Sequence, residues 1–155
     1  MPALSLTALQ NIPLIRHGDN LADIVVRALT SNGIELEDGD ILVFAQKIVS
    51  KAEGRTVHLT SITPSPSAME LAVKTEKDPR LVELILSESK EVLRTRPGTI
   101  IVEHKLGFVC ANAGIDHSNV SSLLTSADHD GPGNELRDEE WVLLLPSNPQ
   151  DSAAS

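Results

Sequence analysis

The chain has 155 residues, which suits one domain with its own core and is too short for two large ones. Its 13 lysines and arginines are outnumbered by 22 aspartates and glutamates, giving a net charge of −9. Because no basic stripe is present either, nucleic acid is not an expected partner. The only aromatic residues are Phe44, Phe108 and Trp141, so aliphatic side chains must fill the core, and base stacking on an aromatic platform is not expected.

The single cysteine, Cys110, lies in an apolar stretch. It excludes an internal disulfide and indicates a buried thiol in a reducing compartment, while a nucleophilic role is a weaker alternative because no base has a visible reason to lie beside it. No run approaches the roughly 18 apolar residues of a membrane span, and the N-terminus lacks a basic segment followed by an apolar core. We therefore expect a cytoplasmic protein without membrane contact.

The first elements of the chain are predicted from alternation, capping residues and helical spacing. Residues 3–9 alternate loosely and predict an edge strand, whereas Pro13 makes residues 12–15 a strand end or loop. Asn20 is a typical N-cap and Gly33 a typical helix end. Between them the apolar residues repeat at helical spacing: Leu21, Ile24, Val25, Ala28 and Leu29.

A continuous apolar run follows at residues 41–45 and predicts a strand that is covered on both faces. Lys47 and Lys51 come directly after it, four residues apart. Two interpretations stay open for this pair: solvated surface lysines, or phosphate binding at the carboxyl end of a buried strand.

The second half of the chain contains a series of shorter signals, of which Asp78-Pro79, an N-cap followed by proline at the first helical position, is the clearest. The predicted elements are a strand at 56–59, a helix at 68–74, a helix from Pro79 to about Lys90, a strand at 92–94, two antiparallel strands at 99–103 and 108–111, a surface loop at 130–134 and a last strand at 141–145.

Residues 107–120 form the most suggestive stretch, because an apolar strand runs into Gly114 and is followed at once by Asp116, His117, Ser118 and Asn119. Asp116 offers hard carboxylate oxygens that suit Mg²⁺ or Mn²⁺, and the amide of Asn119 can bind a nucleotide. These residue types are equally ordinary in turns and helix caps. A metal-dependent hydrolase using Asp116 and His117 is a further alternative, although it lacks a second ligand cluster.

The common signatures of metal and nucleotide sites are absent. The five histidines show no HxH or HExxH spacing, so a zinc site is not expected. The chain contains no GxxxxGK[ST], GxGxxG or GxSxG motif either.

Three segments, in their order and spacing, resemble the coenzyme F420-0:L-glutamate ligase family, the gamma-glutamyl ligases of coenzyme F420 biosynthesis. They are Ile12-Pro13-Leu14-Ile15 with its continuation to Asp19, residues 39–55 with the sequence GDILVFAQKIVSKAEGR, and residues 107–120 with the sequence GFVCANAGIDHSNV. The helix start at Asp78-Pro79 and the segment from Trp141 to Pro146 are also similar to that family.

The resemblance implies a ligase that depends on GTP and on Mg²⁺ or Mn²⁺. Such an enzyme joins L-glutamate to the lactyl carboxylate of F420-0 by an amide bond, through an acyl phosphate. The implied nucleotide contacts are Ile12, Pro13, Leu14, Ile15, Gln46, Lys51 and Asn119, and the implied metal ligand is Asp116. Gln46 is the less specific contact, because some relatives carry serine there. No residue receives a catalytic role.

The resemblance also implies an α+β fold, a mixed sheet with flanking helices, and a homodimer. Members of the family continue for roughly another hundred residues, so residues 1–146 are expected to be the N-terminal part of the ligase domain. Residues 147–155 are expected to be a flexible tail or the start of an interrupted helix. A noncatalytic nucleotide-binding or assembly module, which needs a separate C-terminal half for chemistry, is the alternative function.

Overall fold

The structure is a computed structural model that describes residues 4–117 and 140–154. Its elements in chain order are α1 (Leu21–Asn32), α2 (Gln46–Ala52), β1 (Thr56–His58), a 3-10 turn (Leu59–Ser61), α3 (Pro66–Thr75), α4 (Pro79–Ser87), β2 (Ser89–Arg96), β3 (Thr99–His104), β4 (Val109–Ala111), a second 3-10 turn (Asn112–Gly114), β5 (Trp141–Leu143) and α5 (Pro149–Ala154).

Both helix starts predicted from capping residues are confirmed. The Asn20 side chain accepts a main-chain N–H of the first turn of α1 at 3.1 Å, and Gly33 ends the helix with a φ of 65°. Asp78 accepts the N–H two residues further on at 2.8 Å, and Pro79 begins α4. That helix ends at Ser87, before the predicted end near Lys90, because the chain enters β2 there.

The described strands form two antiparallel sheets, so the α+β class is confirmed with two sheets in place of one mixed sheet. Strands β2, β3 and β4 pair in that order, and β1 pairs with β5. The predicted antiparallel pairing of the strands on either side of the 105–107 connection is confirmed. No helix in the described part of the chain combines the length and apolar character that crossing a membrane requires.

The core lies between α4 and the three-stranded sheet. Alternate residues of β3 point inward, so that Ile100, Val102 and His104 are buried and their neighbours are not. Val82 and Ile85 of α4 pack against them and are also fully buried. Burial of these aliphatic side chains supplies the main driving force for folding.

Two predicted strands are wrong. Residues 4–9 and 41–45 have no strand pairing within the described ranges. Leu6, Ile41 and Val43 are 86%, 84% and 87% exposed. An apolar run records a preference for burial, but a strand forms only where a neighbouring strand offers hydrogen bonds, and the described part of the chain provides none beside these residues. A short helix, α5, occupies residues 149–154, where the sequence has no periodic signal.

Arg55 links the two sheets. Its main-chain oxygen accepts the N–H of Leu144 at 3.0 Å, next to β5, and its guanidinium donates to Leu145 O at 2.9 Å. The same guanidinium forms an ion pair with Glu88, at the end of α4. The Glu88 carboxylate lies 3.9 Å from Nε2 of buried His104. One arginine therefore connects β1 and β5 to the elements that enclose the main core.

Burial is the main cause of a lowered pKa at His104. The charge of Glu88 acts in the opposite direction, and the charges of Arg55 and Lys105 lower the pKa further. Its Nδ1 accepts the N–H of Leu106 at 3.0 Å, and its ring stacks on Phe108. The folded protein therefore holds a neutral imidazole whose proton, in that tautomer, is on Nε2.

We expect acid to destabilise the fold through His104. Since the pKa is lower in the folded state, the stabilisation is complete above the unfolded pKa of about 6.5 and is lost as pH falls through the folded pKa. His104→Gln retains an acceptor but removes the titration. The free energy of unfolding, measured in urea between pH 5 and 8, should vary less steeply with pH in this variant than in the wild type. Equal slopes would contradict the assignment.

Candidate nucleotide and metal site

Asp116 follows a left-handed turn at the end of β4. Asn112, Ala113 and Gly114 have φ values of 51°, 52° and 67°, a region that residues other than glycine rarely adopt. The Asn112 side chain accepts the Ile100 N–H at 3.0 Å, and Ala113 is fully buried. These contacts hold the turn in place and direct the chain from the three-stranded sheet toward β5.

The main chain of Asp116 pairs with Leu143 of β5. Its N–H donates to Leu143 O at 3.0 Å, and its carbonyl accepts the Leu143 N–H at 2.8 Å. Two hydrogen bonds to a buried strand fix the backbone of Asp116. Its carboxylate is therefore attached to a rigid main chain, as an ion-binding site requires. The side chain itself remains 29% exposed.

Lys47, the second residue of α2, forms an ion pair with that carboxylate. Its Nζ lies 2.5 Å from Oδ2 of Asp116. Because the two side chains are 40% and 29% exposed, solvent screens the pair, and it contributes only about 0.2–1 kcal/mol to stability. The ion pair matters less for stability than for its position, because Asp116 pairs with a cationic side chain where the resemblance implies a metal ion.

The two predicted contacts on α2 occupy different environments. Lys51 lies one turn after Lys47, and its pKa is lowered by burial first and by the charge of Lys47 second. Gln46 donates from Nε2 to the hydroxyl of Ser50 at 2.6 Å, and Ser50 is fully buried. The ammonium of Lys51 is thus partly desolvated near Lys47, whereas the amide nitrogen of Gln46 is engaged inside the helix.

The segment Ile12-Pro13-Leu14-Ile15 borders an apolar cavity of about 510 Å³. Ile15 is buried, while Ile12 and Leu14 are 36% and 69% exposed. Gly18, three residues later, donates its N–H to Ala52 O at 2.9 Å and so ties the segment to the end of α2. The cavity walls come from five stretches, with Ser5 to Leu9, Ile12 and Ile15, Leu21, Ile24 and Val25, Ile41 to Phe44, and Ile48 as lining residues.

The structure therefore arranges part of the predicted site around α2, with Asp116 on one side of the helix and with Ile12 and Ile15 at the cavity on another. Lys47 faces Asp116 and Ile48 faces the cavity, as expected for consecutive helical residues about 100° apart. His117 is exposed, and Asn119 lies outside the described residues.

Asp116 offers a single carboxylate to the divalent metal ion that the resemblance implies. The ammonium group at its Oδ2 shows that a cation can be accommodated there. Within residues 4–117 and 140–154 no group of three or more histidine, cysteine, aspartate or glutamate side chains could hold a metal. Magnesium and manganese need about six oxygen ligands, so Asp116 would share the ion with water, phosphate oxygens and other ligands.

Glu53, the residue that follows α2, was not predicted from the sequence and binds the C-terminal segment. It accepts hydrogen bonds from Ser147 N at 2.7 Å and from Ser152 Oγ at 2.6 Å. Burial alone would raise its pKa, but the hydrogen bonds from Ser152 and Ser147 outweigh that effect and lower it. The glutamate thereby fastens α5 to the end of α2, a long-range contact that no local pattern indicates.

The surroundings of Cys110 disfavour a nucleophilic role. It is partly buried against the core, and desolvation raises the pKa of its thiol. A raised pKa leaves less reactive thiolate.

Comparison of the sequence with known protein families places the chain in one of them. The profile described as F420-0:Gamma-glutamyl ligase matches residues 10–155, nearly the whole chain. The chain belongs to that family, which confirms the resemblance read from the three motif segments.

Individual relatives agree. The chain is similar to coenzyme F420:L-glutamate ligase of Methanothermobacter thermautotrophicus, at 46% identity over 86% of this chain and 54% of the relative. The Methanopyrus kandleri protein of the same name is 40% identical over 99% of this chain and 53% of its own length. The Methanococcus maripaludis protein is 46% identical over 92% and 48%. The chain thus spans about half the length of the curated relatives it matches.

Gly114 should be required for the turn that presents Asp116. A Cβ there would lie 2.7 Å from Leu145 Cδ1, in addition to the strain of a φ of 67°. Gly114→Ala should destabilise the fold by about 2 kcal/mol in urea unfolding. Gly98→Ala is the matched control, since its φ is 78° but nothing lies within 4 Å. Its cost should be about 1 kcal/mol; a loss equal to that of Gly114→Ala would show that the Leu145 contact is irrelevant.

Proposed function

We propose that the chain supplies the N-terminal part of a GTP- and divalent-metal-dependent ligase that joins L-glutamate to F420-0 in coenzyme F420 biosynthesis. The observation on which the proposal depends is the Asp116 carboxylate, on a fixed backbone and paired with Lys47, in a chain of the gamma-glutamyl ligase family. Lys51 lies one turn further along the same helix. The family match supports the substrate class, and the charge arrangement supports a metal-phosphate site.

The proposed reaction has two steps. An oxygen of the F420-0 carboxylate attacks the γ-phosphorus of GTP, forming an acyl phosphate as the bond to GDP breaks. The amine of L-glutamate then attacks the acyl carbon, forming the amide as phosphate leaves and the amine loses a proton. Phosphoryl transfer of this kind depends on positioning and on neutralising negative charge.

The surroundings of each residue suggest its proposed role. Asp116 would hold the metal ion, which would neutralise charge on the phosphates when bound. Lys51 would face phosphate oxygens, and the apolar cavity beside Ile12 and Ile15 has walls suited to the nucleoside rather than to the charged groups. Helix α2 connects the two regions, because Lys47 belongs to one and Ile48 to the other.

The proposed partners are F420-0, L-glutamate and GTP, with a second copy of the chain in a homodimer, and the proposed compartment is the cytoplasm, where GTP is supplied. The exposed apolar side chains of residues 4–14 and 41–44 support association with further polypeptide.

The noncatalytic module is the alternative, favoured by two observations. The chain spans about half the length of its relatives, and no group of three or more acidic, histidine or cysteine side chains among the described residues could hold a metal. An assay with GTP, Mn²⁺, L-glutamate and F420-0 distinguishes the two functions, and the mass of the product is the quantity measured. The chain is assayed alone and with the separately produced second half of the Methanothermobacter relative. We expect glutamylated F420 when both are present. Product from the chain alone would reject the module, and no product under either condition would reject the ligase.

Asp116→Asn should weaken Mn²⁺-dependent GTP binding at least about tenfold, because an amide replaces the anionic ligand while keeping the shape of the side chain. Isothermal titration calorimetry with GTP, with and without Mn²⁺, measures the effect. Asp38→Asn, in the turn that follows α1, is the control and should leave binding unchanged. Equal affinity of the Asp116→Asn variant and the wild type would reject the metal role.

A further inference from the structure

Two segments without helix or strand structure, residues 5–9 and 41–44, form an exposed apolar edge of the molecule, here called the unpaired edge. Both segments line the same apolar cavity, so they lie close together in the fold. Leu6, Ile41 and Val43 are nevertheless 86%, 84% and 87% exposed. Large aliphatic side chains are rarely left in water as a group unless a partner covers them.

The main chain of the unpaired edge also lacks partners. Among the described residues, no main-chain hydrogen bond joins residues 5–9 or 41–44 to another segment. A row of free N–H and C=O groups beside apolar side chains is the feature by which one polypeptide recruits a strand from another.

The exposure of the side chains alternates along the second segment. Ile41 and Val43 are 84% and 87% exposed, whereas Leu42 and Phe44 are 46% and 38% exposed. Such alternation is typical of a strand that is covered on one face only. Residues 41–44 therefore have the side-chain arrangement of a strand without having a neighbouring strand among the described residues.

A polypeptide is the partner whose chemistry fits this edge. A small molecule in the cavity could cover apolar side chains, but it offers no row of hydrogen-bonding groups at the spacing of a strand. An added strand supplies both, because its main chain pairs with residues 41–44 and its alternate side chains cover Ile41 and Val43.

The relatives indicate which polypeptide this is. The matched part is 54% of the Methanothermobacter ligase and 53% of the Methanopyrus ligase, so each has a large part without a counterpart in this chain. In the relatives that part is covalently joined to the matched part. Its effective concentration at the edge is therefore far above that of a separate chain, which favours it over a second copy as the occupant.

We propose that the unpaired edge is the docking surface for the second half of the ligase, which adds a strand beside residues 41–44 and places apolar side chains over Ile41 and Val43. This inference rests on the proposed function, in which the chain is the N-terminal part of the enzyme.

The test is co-purification of the tagged 155-residue chain with the second half of the Methanothermobacter relative. The two are co-expressed, so that the second half does not have to fold alone. Val43→Asp puts a charge where the added strand would bury it, and should reduce the amount of co-purified partner at least about tenfold. Because Val43 is 87% exposed, the substitution should leave the chain itself folded, which circular dichroism checks.

Val73→Asp is the matched control. Val73 is also a highly exposed valine, at 83%, but it belongs to α3, which does not line the cavity. This variant should retain its partner as the wild type does. Equal losses in the two variants, no loss with Val43→Asp, or no association of the wild-type chain would each overturn the inference.

Hydrogen exchange measured by mass spectrometry tests the strand pairing directly. Amides of residues 41–44 should exchange rapidly in the chain alone and at least about tenfold more slowly in the complex. Protection in the chain alone would show that another segment or a second copy already covers the edge. That result, or a complex without protection at these residues, would overturn the inference.

The glutamylation assay separates failure of this inference from failure of the proposed function. If the wild-type pair makes product and Val43→Asp associates normally, the ligase function stands and only the docking surface is rejected. If the pair associates through residues 41–44 but makes no product, the docking surface stands and the ligase function is rejected.

Discussion

The pairing of Asp116 with Leu143 is the constraint on which the described site depends. Two main-chain hydrogen bonds join the segment after β4 to β5, so they connect the three-stranded sheet to the two-stranded one. The left-handed residues 112–114 turn the chain toward this contact. A carboxylate on a rigid backbone can serve as an ion ligand, whereas the same residue on a loose turn would lose entropy at each binding event.

Helix α2 places side chains of different character near Asp116. One face places Lys47 at Asp116, the next residue lines an apolar cavity, and Glu53 at its end binds the segment that leads into α5. The exposed apolar residues 41–44 lie just before this helix in the chain. Charged and apolar regions are thus adjacent, on a chain about half as long as its ligase relatives.

Sequence patterns predicted the elements whose causes are local. The caps at Asn20 and Asp78 were correct because a side chain within the first turn satisfies the helix N–H groups. The β3–β4 pairing was correct because a short connection leaves few alternatives. The strand predicted at residues 41–45 was wrong because apolar character indicates burial but does not show whether a neighbouring strand is available for pairing. The motif segments singled out Asp116 and Lys51 as candidate ligands, whereas they did not indicate that Lys47 pairs with Asp116.

The sequence by itself determined the α+β class, the family, and the residue types available to the candidate site, because capping, alternation and motif spacing act over a few residues. Tertiary structure alone decided which distant groups meet: Lys47 with Asp116, Glu53 with Ser152, and Arg55 with Glu88. Such contacts depend on how β5 returns to pair with β1 and with Asp116. Chain closure over long separations is set by the packing of the whole core, and no local pattern records it.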